Sequence, residues 1–228
     1  MEPEAGSVLL VNKPLEWTSF DVVNKLRYLL HTRKIGHAGT LDPLATGLLI
    51  LCTDKMTKRI DEFQGMEKEY TGTLILGKTT ASYDGETEPT PPIDISAITE
   101  TAVHNAARSF IGLIQQVPPA HSSIKVNGKR AYDLARKGDV VELKPRTVEI
   151  KAFDITDCSF PNISFRVVCS KGTYIRSLAH DMGHKLGVGA YLSVLCRTRI
   201  GTYLLANAET LEQIRFRVAQ PSTQIERN

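Results

Sequence analysis

Apolar positions along the chain fall into short alternating runs and a few helical stripes, in an irregular order. A strand is predicted over residues 7–12, where Val8 to Val11 are all apolar and Lys13-Pro14 then turns the chain. Val22, Val23, Leu26, Leu29 and Leu30 recur at helical spacing. They follow Thr18-x-x-Asp21, a capping box with Asp where Glu or Gln is usual, and so predict a helix to about residue 31. Residues 34–36 lead into a glycine-rich loop, after which the apolar run Leu48-Leu49-Ile50-Leu51-Cys52 predicts a buried strand over 47–53. A polar helix over about 55–63 and an alternating strand over 69–76 come next. The polar, proline-rich stretch 79–94 is long enough to be read as a mobile or substrate-facing loop.

The second half of the chain predicts a helix over 98–110 and a connection over 111–117 into Pro118-Pro119. A short helix over 131–136 stops at Gly138, and strands over 148–156 and 163–169 can pair as a hairpin. A helix over 173–186 stops at Gly187, 191–205 is largely extended, and 209–217 is a last short helix. Adjacent strand pairs without regular alternation of strand and helix predict an α+β fold with a largely antiparallel sheet. No repeat or low-complexity linker divides the chain, so one domain over 1–228 is expected, with 1–6 and about 219–228 as tails.

Composition changes this picture little. Apolar residues make up 42% and charged residues 23% of 228, as in an ordinary soluble protein. No eighteen-residue apolar stretch predicts a membrane span, and the acidic start lacks the apolar core of a secretory signal. Cys52, Cys158, Cys169 and Cys196 are far apart, which favours buried reduced thiols and a cytosolic setting over a disulfide frame or zinc site. The net charge of +3 is small, but its distribution is uneven. Lys25, Arg27, Arg33 and Lys34 have no acidic neighbour between 22 and 41. Residues 121–151 hold eight basic against four acidic side chains. Such segments suit a phosphate backbone, although on charge alone two solvated faces are the commoner meaning.

The candidate chemistry centres on Gly36-His37-Ala38-Gly39-Thr40-Leu41-Asp42-Pro43-Leu44-Ala45-Thr46-Gly47. One carboxylate sits there among three glycines, a proline and two threonines, at the lip of a strand. Taken alone, an aspartate before proline is more often a turn residue than a nucleophile. The run as a whole resembles the catalytic loop of the TruB-type pseudouridine synthases. Asn12-Lys13-Pro14 with Thr18-Ser19-Phe20-Asp21 resembles the opening signature of that family, and Lys68-Glu69-Tyr70 its tyrosine strand. The segment from Val117-Pro118-Pro119 through His121 to Tyr132 is similar to a substrate-side stretch. Lys171-Gly172-Thr173-Tyr174-Ile175-Arg176-Ser177-Leu178 resembles the arginine motif, and Leu195-x-Arg197-Thr198-x-x-Gly201 the closing one. The matches run in family order over nearly the whole chain.

The resemblance implies isomerisation of the T-loop uridine of transfer RNA, position 55, to pseudouridine. It implies Asp42 as nucleophile, Tyr70 as a stacking platform and Arg176 as the partner of the carboxylate. His37 would fill the space of a flipped base, with an ordinary loop histidine as the alternative. Tyr174, Leu195, Lys13 and Lys58 match positions near the base or the RNA, although apolar strand residues and surface lysines are usually just that. Arg33, Lys34, Lys125, Lys129 and Arg130 would hold the T arm by its phosphates. No cofactor and no metal are expected, and a monomer is the default. His180 and His184 stand at i and i+4, but no third ligand is evident near them. The 27 residues after Gly201 are too few for the RNA-binding PUA domain of many relatives, which also argues against the ribonucleoprotein-bound branch.

Two rivals remain open on sequence. A non-catalytic RNA-binding module would not need Asp42, Tyr70 and Arg176 together. A nucleoside or glycoside hydrolase would need a second carboxylate, for which only distant residues such as Asp84 are available.

Overall fold

The structure is a computed structural model and describes residues 6–122, 124–126, 128–132 and 143–220. The chain forms two compact units, one of Met1–Met66 with Cys196–Asn228 and one of Glu67–Leu195. The first unit begins with β1 (Val8–Lys13), α1 (Ser19–Leu29), β2 (Ile35–His37), β3 (Ala45–Thr53) and α2 (Ile60–Gly65). The second holds β4 (Lys68–Leu76), α3 (Glu100–Arg108), β5 (Gly112–Gln116), β6 (Lys125–Val126), β7 (Lys129–Arg130), β8 (Arg146–Ser159), β9 (Asn162–Cys169) and α4 (Ile175–Lys185). Strand β10 (Ala190–Ile200) begins in the second unit and ends in the first, where β11 (Tyr203–Leu204) and α5 (Leu211–Ala219) follow.

In the first unit β3 is the central strand, with β1, β2 and the end of β10 as neighbours. Its apolar run is continuous because both faces are covered. Leu49 and Leu51 face a core with Val11, Val22, Val23, Leu26 and Ile214, so α1 and α5 lie on that side. Leu48, Ile50 and Cys52 point the other way, to Phe63 and Ile200. Helix α1 starts where the capping box places it. The Thr18 hydroxyl accepts from the Asp21 amide at 3.0 Å, and the Thr18 amide donates to the Asp21 carboxylate at 2.9 Å.

In the second unit the order is β10-β4-β9-β8-β5, and the ladders β4–β9, β9–β8 and β8–β5 are all antiparallel. Burial alternates residue by residue along β4, as the hydropathy pattern predicts. Thr99 caps α3, and Val103, Ala106 and Ala107 form its buried face. The α+β class and the largely antiparallel pairing are therefore as expected.

Some elements differ from the sequence reading. The 55–63 helix is a 3₁₀ helix over Asp54–Arg59 running into α2. Strand β2 lies where a loop entry was expected, and three residues are too few to show a period. The 111–117 connection contains β5, an edge strand whose exposed face carries an apolar Leu113 as well as Gln115, so that its hydropathy does not follow its alternating burial. The 79–94 loop is internally bonded: Thr79 and Thr90 bond through backbone and side chain, and Ile93 donates to the Gly77 carbonyl at 2.9 Å. Most of the expected 131–136 helix, and the tails at 1–5 and 221–228, lie outside the described residues.

Candidate active site

Asp42 lies half-buried on the loop between β2 and β3. The loop is closed at its own ends, with the Ala38 amide on the Ile50 carbonyl at 2.8 Å and the Ala45 amide on the Asp42 carbonyl at 3.0 Å. Three buried side chains then fix it. The Ser19 hydroxyl, at the start of α1, accepts from the Leu41 amide at 2.8 Å and donates to the Leu41 carbonyl at 3.2 Å. The ammonium of Lys13, at the end of β1, donates to the carbonyls of Pro14, Trp17 and Pro43. Arg197, on β10, donates from Nε to the Leu48 carbonyl at 2.7 Å and from Nη2 to the Gly39 carbonyl at 3.2 Å. Gly47 lets the strand pass close to that arginine. Its φ is +102°, and a Cβ there would lie 2.4 Å from the Arg197 carbonyl oxygen.

These anchors set the local electrostatics. Burial pulls Lys13 down to about 8; the Asp42 carboxylate partly opposes the shift and the Arg197 cation adds to it. His37, at the end of β2, is held below its usual value, first by burial and then by Arg197, against a backbone contact with Gly39. Its Nδ1 is buried without a hydrogen-bond partner among the described residues. A neutral imidazole beside a cation suits a ring that occupies space more than one that shuttles a proton. Lys13, which the resemblance puts near the pocket or the RNA backbone, is fully buried beneath the Asp42-Pro43 turn, its head group engaged by three carbonyls.

A second polar cluster sits in the other unit. Arg176, in the first turn of α4, is 4% exposed. It donates from Nη1 to the Ser82 carbonyl at 3.1 Å and from Nη2 to the His121 carbonyl at 2.9 Å. Its Nε lies 3.5 Å from the buried Asp84 carboxylate. Asp84 is set by a tight turn in which Thr80 and Ser82 hydroxyls donate to its carbonyl and its Oδ1 takes the Glu86 amide. Tyr174 precedes α4, and buried Gln116 clamps its peptide, taking the amide at 2.8 Å and donating to the carbonyl at 3.1 Å. The Arg146 guanidinium lies 5.0 Å over the Tyr174 ring. Tyr70 on β4 and Leu195 on β10 are both buried, at 9% and 8% exposure.

The structure thus gathers Asp42, His37 and Lys13 around Arg197 in one unit, and Arg176 and Tyr174 with Asp84 and Gln116 in the other. Arg33, Lys34 and Lys58 are exposed on the first unit. Lys125, Lys129 and Arg130 lie on the backbone hairpin β6–β7, and their side chains fall outside the described residues.

Residues 27–175 match the family model described as TruB family pseudouridylate synthase, N-terminal domain. The chain belongs to the TruB family. Residues 176–224 match a tRNA pseudouridylate synthase B C-terminal domain. A relative from Parabacteroides distasonis named tRNA pseudouridine synthase B is 54% identical, covering 92% of each chain. One of the same name from Chlorobaculum tepidum is 46% identical over 98% of this chain and 95% of its own. Among solved structures, a chain in a Cbf5-Nop10-Gar1 complex superposes with a TM-score of 0.71 at 30% identity, over 90% of this chain and 52% of its own. A chain in an H/ACA RNP bound to a substrate RNA containing 2′-deoxyuridine gives 0.68 at 28%, over 90% and 51%. This TruB-family chain therefore spans about half the length of those two structures' chains.

Three supporting residues were not singled out from the sequence, Ser19, Gln116 and Arg197, and Asp84 was named only as a distant carboxylate for the hydrolase rival. Ser19 and Arg197 stood inside quoted motifs without a role, and their mid-motif position was a usable signal. Asp84 and Gln116 lay in stretches read as loop or connection. Nothing local distinguishes a buried loop carboxylate from a solvated one.

Proposed function

We propose that this TruB-family chain converts the T-loop uridine at position 55 of transfer RNA to pseudouridine, with Asp42 as nucleophile. The observation that carries this reading is the 54% identity, over 92% of both chains, to a relative named for pseudouridine formation in tRNA. The chemistry breaks the N1–C1′ bond of the uridine, turns the uracil, and forms a C5–C1′ bond. C5 then gives up its proton and N1 takes one, so nothing is oxidised and no added group is needed. A carboxylate suits the task because it can bond to the nucleotide and leave again. The rigid anchoring of the Asp42 loop supports this role, since a nucleophile on a mobile loop loses the benefit of orientation.

In this reading Arg176 takes the role of the catalytic arginine that the family resemblance implies, with Asp84 fixing its guanidinium within its own unit. Tyr70 stacks on the base, Tyr174 and Leu195 bound the same pocket, and His37 stands in for the flipped nucleotide. Lys13 supports the loop from beneath. Lys58, Arg33, Lys34, Lys125, Lys129 and Arg130 hold T-arm phosphates. We take the whole chain as one catalytic domain acting as a monomer in the cytosol. No described helix is long and apolar enough to cross a membrane.

A T-arm stem-loop carrying tritium at C5 of the target uridine tests the reaction. The isomerase reading expects tritium released to water with the RNA chain intact and no free uracil. Release of free uracil would instead assign the site to glycosidic hydrolysis. Salt-sensitive binding with neither product would assign the chain to RNA binding alone.

A further inference from the structure

Away from the residues discussed above, α3 and β8 bring three different ligand types to one point. Glu100 and His104 are four residues apart on α3 and so share one face. The His104 Nε2 lies 3.6 Å from a Glu100 carboxylate oxygen. Cys158 reaches the same point from β8, just past the irregularity between Ile155 and Asp157. The carboxylate oxygen, imidazole nitrogen and thiol sulfur all lie within 4.8 Å of one another. We propose that Glu100, His104 and Cys158 form a binding site for a borderline-soft divalent cation of the zinc class, with solvent in the fourth position.

The donor set argues for this class. Oxygen, nitrogen and sulfur together match tetrahedral Zn²⁺ and exclude Mg²⁺ and Ca²⁺, which take oxygen. Tetrahedral bonds to Zn²⁺ place ligand atoms about 3.5 Å apart. The Glu100–His104 pair, at 3.6 Å, already has that spacing, and no separation to the thiol exceeds 4.8 Å, so side-chain rotations that close at most about an ångström complete the site without moving either element. Both elements are firmly placed: α3 by its buried Val103, Ala106 and Ala107, and β8 by its pairing with β9. The Glu100 and Asp157 carboxylates reinforce burial in disfavouring a bare thiolate at Cys158. A bound dication reverses that penalty, and the thiol proton leaves to solvent on binding. His180 and His184, the pair weighed on sequence, are a poorer site. The His180 ring stacks on Tyr83 at 3.9 Å, and no third ligand joins the two among the described residues. The cluster departs from the sequence expectation that the chain binds no metal, and bears on α3–β8 stability, not on isomerisation.

Titration of the reduced, metal-free full chain with Co²⁺, followed by competition with Zn²⁺, tests the site. One equivalent is expected to bind, with a sulfur-to-cobalt charge-transfer band that Zn²⁺ abolishes. Cys158→Ser should lose that band, His104→Gln should lose the stoichiometric binding, and Cys196→Ser should keep both. All three variants should retain wild-type isomerase activity and melting temperature in the absence of metal. A wild-type chain without a charge-transfer band at one equivalent overturns the proposal. So does a band that survives both Cys158→Ser and His104→Gln.

Discussion

Lys13 and Arg197 are almost completely buried, and both direct their donors at backbone carbonyls on either side of Asp42. Replacing Arg197 with Met would leave the Leu48 and Gly39 carbonyls without those donors. We expect a loss of about 3–5 kcal/mol, read as a lower urea midpoint with an unchanged slope. A loss under about 1 kcal/mol would mean that the guanidinium does not hold the loop. Lys13 predicts a pH dependence. Its folded value of about 8 lies below the usual 10.5, so between those values the unfolded chain binds the extra proton. The penalty of burying the charge is complete below pH 8 and fades as pH rises toward 10.5. The stability of the wild type relative to Lys13→Met should therefore increase with pH across that window, measured by paired denaturations at pH 7.5, 9 and 10. A flat difference would show that burial does not shift Lys13. At this scale Asp42 was legible from the residue types around it. The burial of Lys13 was not legible, because sequence does not reveal a charge satisfied by distant carbonyls.

Among the elements, β3 and α1 were readable because each carries a local signal: a run of five apolar residues in one, a capping box and a helical stripe in the other. The hairpin β8–β9 was readable from two apolar runs close in sequence. Strands β2 and β5 were not, since one is too short for a period and the other is an edge with both faces partly exposed. The length of the polar 79–94 loop suggests a mobile or substrate-facing segment. In the fold those polar groups bond to one another, and the Tyr83 carbonyl takes the Leu192 amide at 2.9 Å. Gly47 links strand to site. Alanine there meets both an unfavourable φ and the Arg197 backbone, so Gly47→Ala should cost about 3 kcal/mol or more. It should also lower activity beyond what that instability explains, because the clash sits five residues after Asp42. A variant with wild-type melting temperature and turnover would contradict the close approach.

For the whole molecule, the order of motifs from 12 to 201 carried more than any single element, and it led to the family. The two compact units had no counterpart in composition, because the chain leaves the first at Met66 and returns to it at Cys196 without a linker. The uneven charge was legible, and its meaning is testable. Arg33 and Lys34 are exposed with no acidic neighbour in the same segment. Replacing both with Ala should weaken T-arm binding and flatten the plot of log affinity against log salt by about 1–2. Equal slopes for wild type and variant would remove these residues from the RNA interface.

The central claim is that Asp42 performs the isomerisation. Pseudouridine mapping at nucleotide resolution on a T-arm stem-loop, with wild type and Asp42→Asn side by side, tests it most directly. The account predicts complete conversion at the single T-loop uridine by the wild type. Asp42→Asn, folded and still binding the RNA, should be slower by about a thousandfold or more, equivalent to about 4 kcal/mol of barrier. Conversion by Asp42→Asn at a rate close to wild type would contradict the account.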